Sequence, residues 1–351
     1  MSRKVLVSPL NWGLGHATRC IPIINALLSE DFIPVIATDG EALELLRKEF
    51  PKLHYKVMPS YHIKYSKKKS TFKLKMLLNS PKIVRAIAQE KRITEKIIDN
   101  EDFCAIISDN RMGVRDERVP SVFITHQLTV LSGRTTLFST KIHNRYIKKF
   151  DVCWVPDMAD NPNLSGALGH PKRSCIPVTY LGPLSRFEYK YVDNEFDIMV
   201  LLSGPEPQRT LLEQKLLREF EQSDQRIVLV RGIIEEEHKT YLKNNIVIHN
   251  FLTGEALQNT INASNLIISR SGYTTVMDLA KLKKKAFFIP TPGQFEQEYI
   301  AERLRNFKLV PSCNQNDFTI SKLKDITQYK GLHSFSTEID YGELFNFFQR
   351  K

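Results

Sequence analysis

Ser269-Arg270-Ser271-Gly272-Tyr273-Thr274-Thr275-Val276-Met277-Asp278 closes an apolar run and opens a helical one near Tyr273. Small residues at the junction leave the first backbone N–H groups of the helix uncovered. The helix dipole favours an anion there. Asp278 follows about a turn later, where a carboxylate can accept hydrogen bonds from both hydroxyls of a ribose. The same pattern equally describes a plain Ser/Gly helix start whose acid stabilises the dipole, and local spacing does not choose between the two. The wider setting decides the fold: a short apolar run, a glycine-bearing turn, then a helix.

That unit recurs along the chain. Short apolar runs at 4–8, 34–38, 54–58, 104–108, 121–125 and 152–155 predict strands in the first half. A second series follows at 197–202, 226–230, 246–249, 266–269 and 286–289, with helices expected at 208–222, 255–263, 274–282 and 295–306. Continuous apolar runs suit parallel strands buried on both faces. Two βαβ series predict an α/β chain of two doubly wound, Rossmann-like domains. Their expected bounds are 1–182 and 196–351, joined by a polar linker over 183–195 that contains Gly182-Pro183 at its edge. Ligands of such folds lie beyond the carboxyl ends of the strands. Two such domains facing each other across a cleft would each contribute strand-end loops.

Bulk composition is consistent with this and narrows the class. The 351 residues are 42% hydrophobic and 25% charged, ordinary globular values. No apolar run is long enough for a transmembrane helix. The N-terminus, broken early by Pro9, reads as a first strand and not as a signal peptide. Cys20, Cys104, Cys153, Cys175 and Cys313 are scattered and form no C-x-x-C pair. That predicts a reducing, cytoplasmic setting with no disulfide framework and no zinc site. The net charge of +11 is concentrated between Lys52 and Lys96, where 13 bases face only Glu90 and Glu95. From totals of 50 bases and 39 acids, the rest of the chain keeps 37 of each. Within the basic segment, Lys67-Lys68-Lys69 precedes Phe72, Leu74, Met76, Leu77 and Leu78. Ser80-Pro81 then reads as a helix start, followed by Ile83, Val84, Ile87, Ile97 and Ile98. Bases interleaved with exposed apolar side chains suit an anionic membrane surface. A solvated helix packing its stripe on the domain would look similar. Stacking aromatics nearby are few (Tyr61, Tyr65, Phe72), which argues against nucleic acid.

The strand-end loops carry the candidate chemistry. Asn11-Trp12-Gly13-Leu14-Gly15-His16-Ala17-Thr18-Arg19 follows the first strand, and its glycines allow a tight turn and close approach of a ligand. Thr18 replaces the third glycine of a dinucleotide fingerprint, although Asp39 ends the second strand where a ribose-binding acid would stand. His16 can act as a general base toward a hydroxyl or cap the helix, and spacing weighs these equally. Ser203-Gly204, Phe251-Leu252 and the loop from Pro290 to Tyr299 are the corresponding loops of the second half; from the residues alone Phe251 and Leu252 read more readily as core packing than as a base pocket, and Gln297 and Glu298 either as sugar-hydroxyl partners or as helix-favouring surface residues. Ser108-Asp109-Asn110-Arg111 and Thr125-His126-Gln127-Leu128 end two further strands of the first half.

Taken together these loops resemble the GT-B glycosyltransferases of family 28. The likeness covers most of the second domain and the first loop of the first. It is most specific from Ser269 to Ala301, with an R-S-G-x-x-T helix start, an acid, a proline and a glutamine at family-like offsets. The resemblance implies a UDP-sugar donor, held by Asp278 at the ribose and by Phe251 and Leu252 at the uracil. It places Gly15, Ser203, Gly204, Ser271 and Gly272, with Arg270 nearby, around the diphosphate. Gln297 and Glu298 fall on the sugar hydroxyls, and the fold it implies brings the terminal helix back onto the N-terminal domain. His16 matches the family's loop histidine and is the expected base. Asp109 and Asn110 are assigned to the acceptor side or the donor sugar, with a satisfied loop turn an equal alternative, and His126 to the acceptor side. The pattern departs from the family in Gly13-Leu14-Gly15-His16, in the prolines after Gly204, and in Thr125-His126-Gln127-Leu128, which only partly echoes an H-E-Q-N motif.

The expected reaction is direct displacement with inversion at the anomeric carbon of a hexose such as N-acetylglucosamine. No Asp-x-Asp occurs in the chain, so neither a metal nor another cofactor is expected. The acceptor implied is a lipid-linked or cell-envelope glycan. The enzyme would then sit peripherally on the inner face of the cell membrane, meeting it through 52–96. A nucleotide-sugar 2-epimerase shares the architecture and is the nearest alternative. A non-catalytic lipid-binding protein is the other.

Overall fold

The computed structural model describes residues 3–61, 69–233, 235–335 and 339–349, with the backbone alone over 69–81. The chain divides into two compact units: Met1–Arg186 together with Thr337–Lys351, and Phe187–Ser336.

The first unit contains β1 (Lys4–Pro9), β2 (Ile33–Thr38), β3 (Tyr55–Val57), β4 (Ala105–Asp109), β5 (Ser121–Ile124), β6 (Val152–Val155) and β7 (Val178–Tyr180). They form one sheet in the order β3-β2-β1-β4-β5-β6-β7, and every pairing is parallel. β4, β5 and β6 are buried along their whole length, which is why their sequences show no polar alternation. Its helices are α1 (Gly15–Ser29), α2 (Gly40–Glu49), α3 (Lys69–Asn100) and α4 (Thr136–Ile147). The short β7, preceded by Pro177, has no signal in the sequence long enough to predict it.

The basic segment folds differently from its expected form. α3 begins at Lys69, so Pro81 lies inside a 32-residue helix and not at its first turn. The Lys- and Leu-rich stretch before Pro81 is strongly helix-favouring, which accounts for the longer element. Ile87 and Ile97 are buried, and Ile97 and Ile98 join a core cluster with Val35, Phe103 and Val114. That apolar stripe packs on its own unit, because helical spacing puts 87, 90, 94 and 97 on one face. Val84 alone of the apolar residues named in this tail is well exposed. Tyr65, Lys67 and Lys68 lie outside the described residues, as do the side chains of Lys69, Phe72, Leu74, Met76, Leu77 and Leu78.

The second unit contains β8 (Phe196–Leu201), β9 (Ile227–Val230), β10 (Thr240–Lys243), β11 (Ile246–His249), β12 (Ser264–Ser269) and β13 (Lys285–Phe288). Its sheet runs β10-β11-β9-β8-β12-β13. All pairings are parallel except the edge hairpin of β10 with β11, which the sequence pattern did not suggest because β10 is exposed throughout. The helices are α5 (Gln208–Glu219), α6 (Gly254–Asn262), α7 (Tyr273–Lys281) and α8 (Phe295–Asn306). Ile198, Val200, Leu229, Ile248, Ile268 and Phe287 from the sheet pack with Leu212, Leu216 and Phe220 in its core.

The last helix, α9 (Tyr341–Phe345), starts where the Asp340 side chain accepts a hydrogen bond from the Glu343 N–H. Phe345 and Phe348 contact Phe32 edge-on at 5.6 Å and lie 6.4 and 6.1 Å from Trp154. Aromatic burial of this kind anchors the C-terminal segment to the first unit.

Strand order reverses between β1 and β4 in the first sheet and between β8 and β12 in the second. At such a reversal the two strand-end loops diverge and leave a crevice, which is where open α/β sheets bind ligands. His16 and Asp109 flank the first reversal, Gly204 and Gly272 the second.

Candidate active site

In the first unit, β1 and β4 run in register, with Pro9 opposite Asp109, and the Leu10 N–H donates to the Asp109 carbonyl at 2.9 Å. Asp109 is therefore held at the root of the loop that leads into α1. Its carboxylate is fully buried. Oδ1 lies 2.8 Å from His16 Nδ1, and the Arg19 guanidinium engages both oxygens through short hydrogen bonds. His16 is the second residue of α1 and Arg19 the fifth, so a single helical turn brings both to Asp109. Arg19 Nη2 also stands 2.8 Å from His16 Nδ1, and its Nη1 lies 3.4 Å from Nδ1 of the buried His126. Asn110 completes the group, with Nδ2 3.5 Å from His16 Nδ1. Its φ of 57° is a left-handed conformation that Asn tolerates better than most residues.

His16, Asp109, Asn110 and His126, read from three separate loops of the sequence, are thus brought together. Arg19 was missed as a site residue. Its signal was present: an arginine three residues after the histidine, on a helix otherwise buried by apolar residues.

The electrostatics suit a neutral imidazole. Burial lowers the His16 pKa; Asp109 pulls it up and Arg19 pushes it down, and the result lies below the ordinary 6.5. Burial alone would raise the Asp109 pKa, but Arg19 and His16 outweigh it and hold the carboxyl at about 2. Cys20, with Sγ 3.7 Å from Asp109 Oδ2, has its thiol pushed far up by burial and stays protonated. Only 15% of the His16 side chain is exposed, and Nε2 has no hydrogen-bond partner among the described residues.

A second buried network lies beside it. Arg111 donates to the carbonyls of Pro9 and Pro59 at 2.9 and 3.0 Å, to Glu90 at 2.8 Å and to Asp39. The Tyr61 hydroxyl and the Gly113 N–H hydrogen-bond the other Glu90 oxygen at 2.7 and 3.0 Å. Burial raises the Glu90 pKa despite the neighbouring Arg111. Asp39 is engaged by Arg111 and Asn11, so the geometry gives it a local structural partner set and not an open ribose site.

In the second unit, the loops after β8, β12 and β13 belong to three neighbouring strands. Ser203 and Gly204 are exposed, and Gly204 has a φ of 97°, which a side chain would strain. Gly272 is the N-cap of α7, and a Cβ added there would meet no atom within 4 Å. The helix start is therefore sterically open. Asp278, half-buried, is the sixth residue of the same helix. Ser271 is buried and its hydroxyl donates to the Gln297 carbonyl at 2.8 Å.

Arg270 stands differently from a cation placed beside an anion. It is 1% exposed and donates to the carbonyls of Ile289, Pro290 and Gln208 at 3.0, 3.2 and 2.8 Å, and to Gln315 Oε1 at 2.7 Å. Burial lowers its pKa to about 10. It clamps the loop after β13 to the start of α5. Gln315, the far end of that clamp, gave no signal in the sequence. Gln297 and Glu298 also turn to their own loop: Gln297 Oε1 accepts from the Thr291 N–H at 2.9 Å, and Glu298 Oε1 from the Gly293 N–H at 2.7 Å. Phe251 and Leu252 are half-buried after β11, with the Phe251 ring edge-on to His238 at 5.9 Å. Among the described residues, no group of His, Cys, Asp or Glu is arranged to hold a metal ion. Among the same residues, no helix is long and apolar enough to cross a membrane.

Residues 202–330 match the family model described as the glycosyltransferase family 28 C-terminal domain. The chain is 22% identical over 212 residues to the UDP-N-acetylglucosamine–N-acetylmuramyl-(pentapeptide) pyrophosphoryl-undecaprenol N-acetylglucosamine transferase of Haemophilus ducreyi, covering 58% of this chain and 56% of that protein. The match to the Haemophilus influenzae protein of the same name is 24% over 273 residues, 73% of this chain and 72% of the other. Among solved structures, MurG of Acinetobacter baumannii superposes with a TM-score of 0.60 at 12% identity, covering 99% of this chain and all (100%) of that one. The glycotransferase of kitacinnamycin superposes at 0.63, with 12% identity and coverage of 99% and 94%. At these identities the superpositions fix the fold, which is GT-B: two doubly wound α/β units.

Proposed function

We propose that this chain, a family 28-like glycosyltransferase of GT-B fold, transfers a hexose from a UDP-sugar to a hydroxyl of a lipid-linked or cell-envelope acceptor, with inversion at the anomeric carbon. The observation that carries this reading is the His16–Asp109 pair at the strand reversal of the first unit, in a chain whose second unit matches a family 28 domain. The named substrates of the Haemophilus relatives, UDP-N-acetylglucosamine and a pyrophosphoryl-undecaprenol, support the choice of donor and acceptor class.

In this reading Asp109 accepts the Nδ1–H of His16 and leaves the Nε2 lone pair for the acceptor hydroxyl. The acceptor oxygen gives its proton to Nε2 and forms a bond to the anomeric carbon. The bond from that carbon to the β-phosphate oxygen breaks, and its electron pair leaves with UDP. The added negative charge is met by the open start of α7 at Ser271 and Gly272 and by the Ser203-Gly204 turn. Asp278 binds the ribose hydroxyls, and Phe251 and Leu252 line the uracil. Arg270, Gln297 and Glu298 act by holding the diphosphate- and sugar-side loops in shape. Asn110 and His126 flank the acceptor hydroxyl. The chain carries no Asp-x-Asp, and the reading needs no metal.

A peripheral location on the cytoplasmic face of the membrane suits a lipid-linked acceptor. The basic segment 52–96 supports it, and so does α4. No Asp or Glu occurs from 119 to 150, while Leu137, Phe138 and Ile142 are 88%, 65% and 46% exposed beside Lys141 and Arg145.

The test is incubation of UDP-N-acetylglucosamine and UDP-glucose with and without a short-chain polyprenyl-linked glycan. Release of UDP that requires the acceptor and is lost in His16→Ala is expected. A changed sugar on the nucleotide without any acceptor would make the protein an epimerase. UDP binding without turnover in any mixture would leave it a binding protein.

A further inference from the structure

The Nδ1 atom of His16 is contested. Asp109 Oδ1, which can only accept, and Arg19 Nη2, which can only donate, both stand 2.8 Å from it. A proton on Nδ1 satisfies Asp109 and opposes Arg19; a lone pair on Nδ1 does the reverse and puts the ring's proton on Nε2, where it would block the base. The balance is set by how fully Asp109 is neutralised. Arg19 is 2% exposed and engages both carboxylate oxygens. Two hydrogen bonds from a planar guanidinium fix a carboxylate in orientation as well as charge.

We propose that Arg19 is a positioning residue that tunes His16 through Asp109: it locks the carboxylate toward Nδ1 while cancelling enough of its charge to keep the imidazole neutral and ready to accept a proton. The groups facing His16 are Arg19 from α1, Asp109 and Asn110 from the end of β4, and His126 beyond β5, while Cys20 faces Asp109 from the same helix as Arg19. Cys20 remains a thiol and Asn110 does not titrate, so Asp109 and Arg19 are the fixed charges beside His16 and His126. Arg19 holds the other side of His126 at 3.4 Å. In low-dielectric surroundings a full charge at this range shifts a neighbour's pKa by about a unit or more.

This inference rests on the reading of His16 as the base, but its test does not need turnover. The His16 ring nitrogens are followed by NMR through a pH titration in the wild type, Arg19→Gln and Arg19→Lys. Replacing Arg19 with Gln leaves Asp109 uncompensated, so the His16 pKa should rise by about one unit or more, the equivalent of tenfold or more in the protonation constant. Arg19→Lys keeps the charge and should return most of that shift. The acidic limb of kcat/KM should move by the same amount in each variant. An unchanged His16 titration in Arg19→Gln, or an Arg19→Lys protein that behaves like Arg19→Gln, would overturn the proposal and leave Arg19 a structural cation. Should Arg19→Gln fail to fold, Asp109→Asn in the presence of Arg19 must move the His16 pKa the opposite way, downward; no downward movement overturns the proposal equally. If the titrations shift as expected while His16→Ala stays active, the tuning stands and the assignment of the base falls.

Discussion

Asp109 Oδ1 lies 2.8 Å from His16 Nδ1, and the two residues come from opposite sides of the strand reversal, one ending β4 and the other opening α1. In the proposed reaction the carboxylate orients the ring and would stabilise the imidazolium formed when Nε2 takes a proton. Asp109→Asn keeps the shape but removes the charge, and its amide NH2 can force the wrong tautomer. Loss of kcat of about 10²–10⁴-fold with KM changed only a few-fold is expected. A steady-state comparison decides it: a change confined to KM would move Asp109 out of the proton path.

Gly272 caps α7 with φ of −66° and open space where a Cβ would project. Its backbone thus does not require glycine, and under the proposed function the missing side chain leaves room for the diphosphate. Gly272→Val should fold with a stability loss of about 1 kcal/mol or less, the ordinary cost of a poorer N-cap. UDP should no longer raise its melting temperature, whereas in the wild type a hundredfold excess over Kd adds about 2.7 kcal/mol. An unchanged UDP shift would place the diphosphate elsewhere.

The two βαβ series were legible because buried parallel strands are short apolar runs, and all eleven of the expected runs lie within a residue or two of β1–β6, β8, β9 and β11–β13. What escaped is physically distinct. β7 and β10 are short and carry no buried alternation, so they depend on a partner strand already in place. α3 was misplaced because a proline reads as a start signal, yet the strongly helical residues before it override that. On the site, single loops were readable but their convergence was not. Asp109 and His126 meet Arg19 only through the sheet order, which no local window contains. Arg270 was readable as a cation and unreadable as a clamp, since Gln208 and Gln315 are far from it in sequence.

That clamp makes a stability prediction. Arg270 satisfies the buried carbonyls of Ile289 and Pro290, the half-buried carbonyl of Gln208 and the Gln315 amide oxygen. Arg270→Met fills similar volume but leaves these acceptors without their donor, so a loss of about 3–5 kcal/mol is expected in urea unfolding of the second unit. Arg270→Lys, with fewer donors, should lose about half as much. If Arg270→Met instead kept its stability and lost only donor affinity, Arg270 would be a direct ligand.

The outward face of α4 is fixed by its inward one. His143 and Ile147 are buried, which leaves Leu137, Phe138, Lys141, Ile142 and Arg145 on the exposed side. Apolar side chains at a membrane interface contribute about 1.5–3 kcal/mol each when fully buried, and nearby bases about 1 kcal/mol each. The doubly substituted Leu137→Ser, Phe138→Ser protein should therefore bind anionic vesicles at least about tenfold more weakly in co-sedimentation, with its fold intact. Wild-type binding should weaken as salt rises. Binding that is absent in the wild type or indifferent to salt would count against a membrane role for this face.

His143 lies beneath that face against Phe123, with ring centroids 6.1 Å apart. Among the described residues its Nδ1 has no hydrogen-bond partner. Burial lowers its pKa to about 4, the Gln127 backbone raising it and His126 lowering it further. The folded protein therefore binds this proton less readily than the unfolded chain, whose histidine titrates near 6.5. Its share of stability is complete above about pH 6.5 and is lost as pH falls through about 4. The full difference is on the order of 3 kcal/mol. His143→Gln keeps a donor for the Gln127 backbone and cannot titrate. Between pH 7 and 4 the wild type should lose about 3 kcal/mol more than this variant, read as the difference between two urea-unfolding series. Parallel pH dependences in the two proteins would mean that His143 is protonated in the fold and that the acid sensitivity arises from other groups.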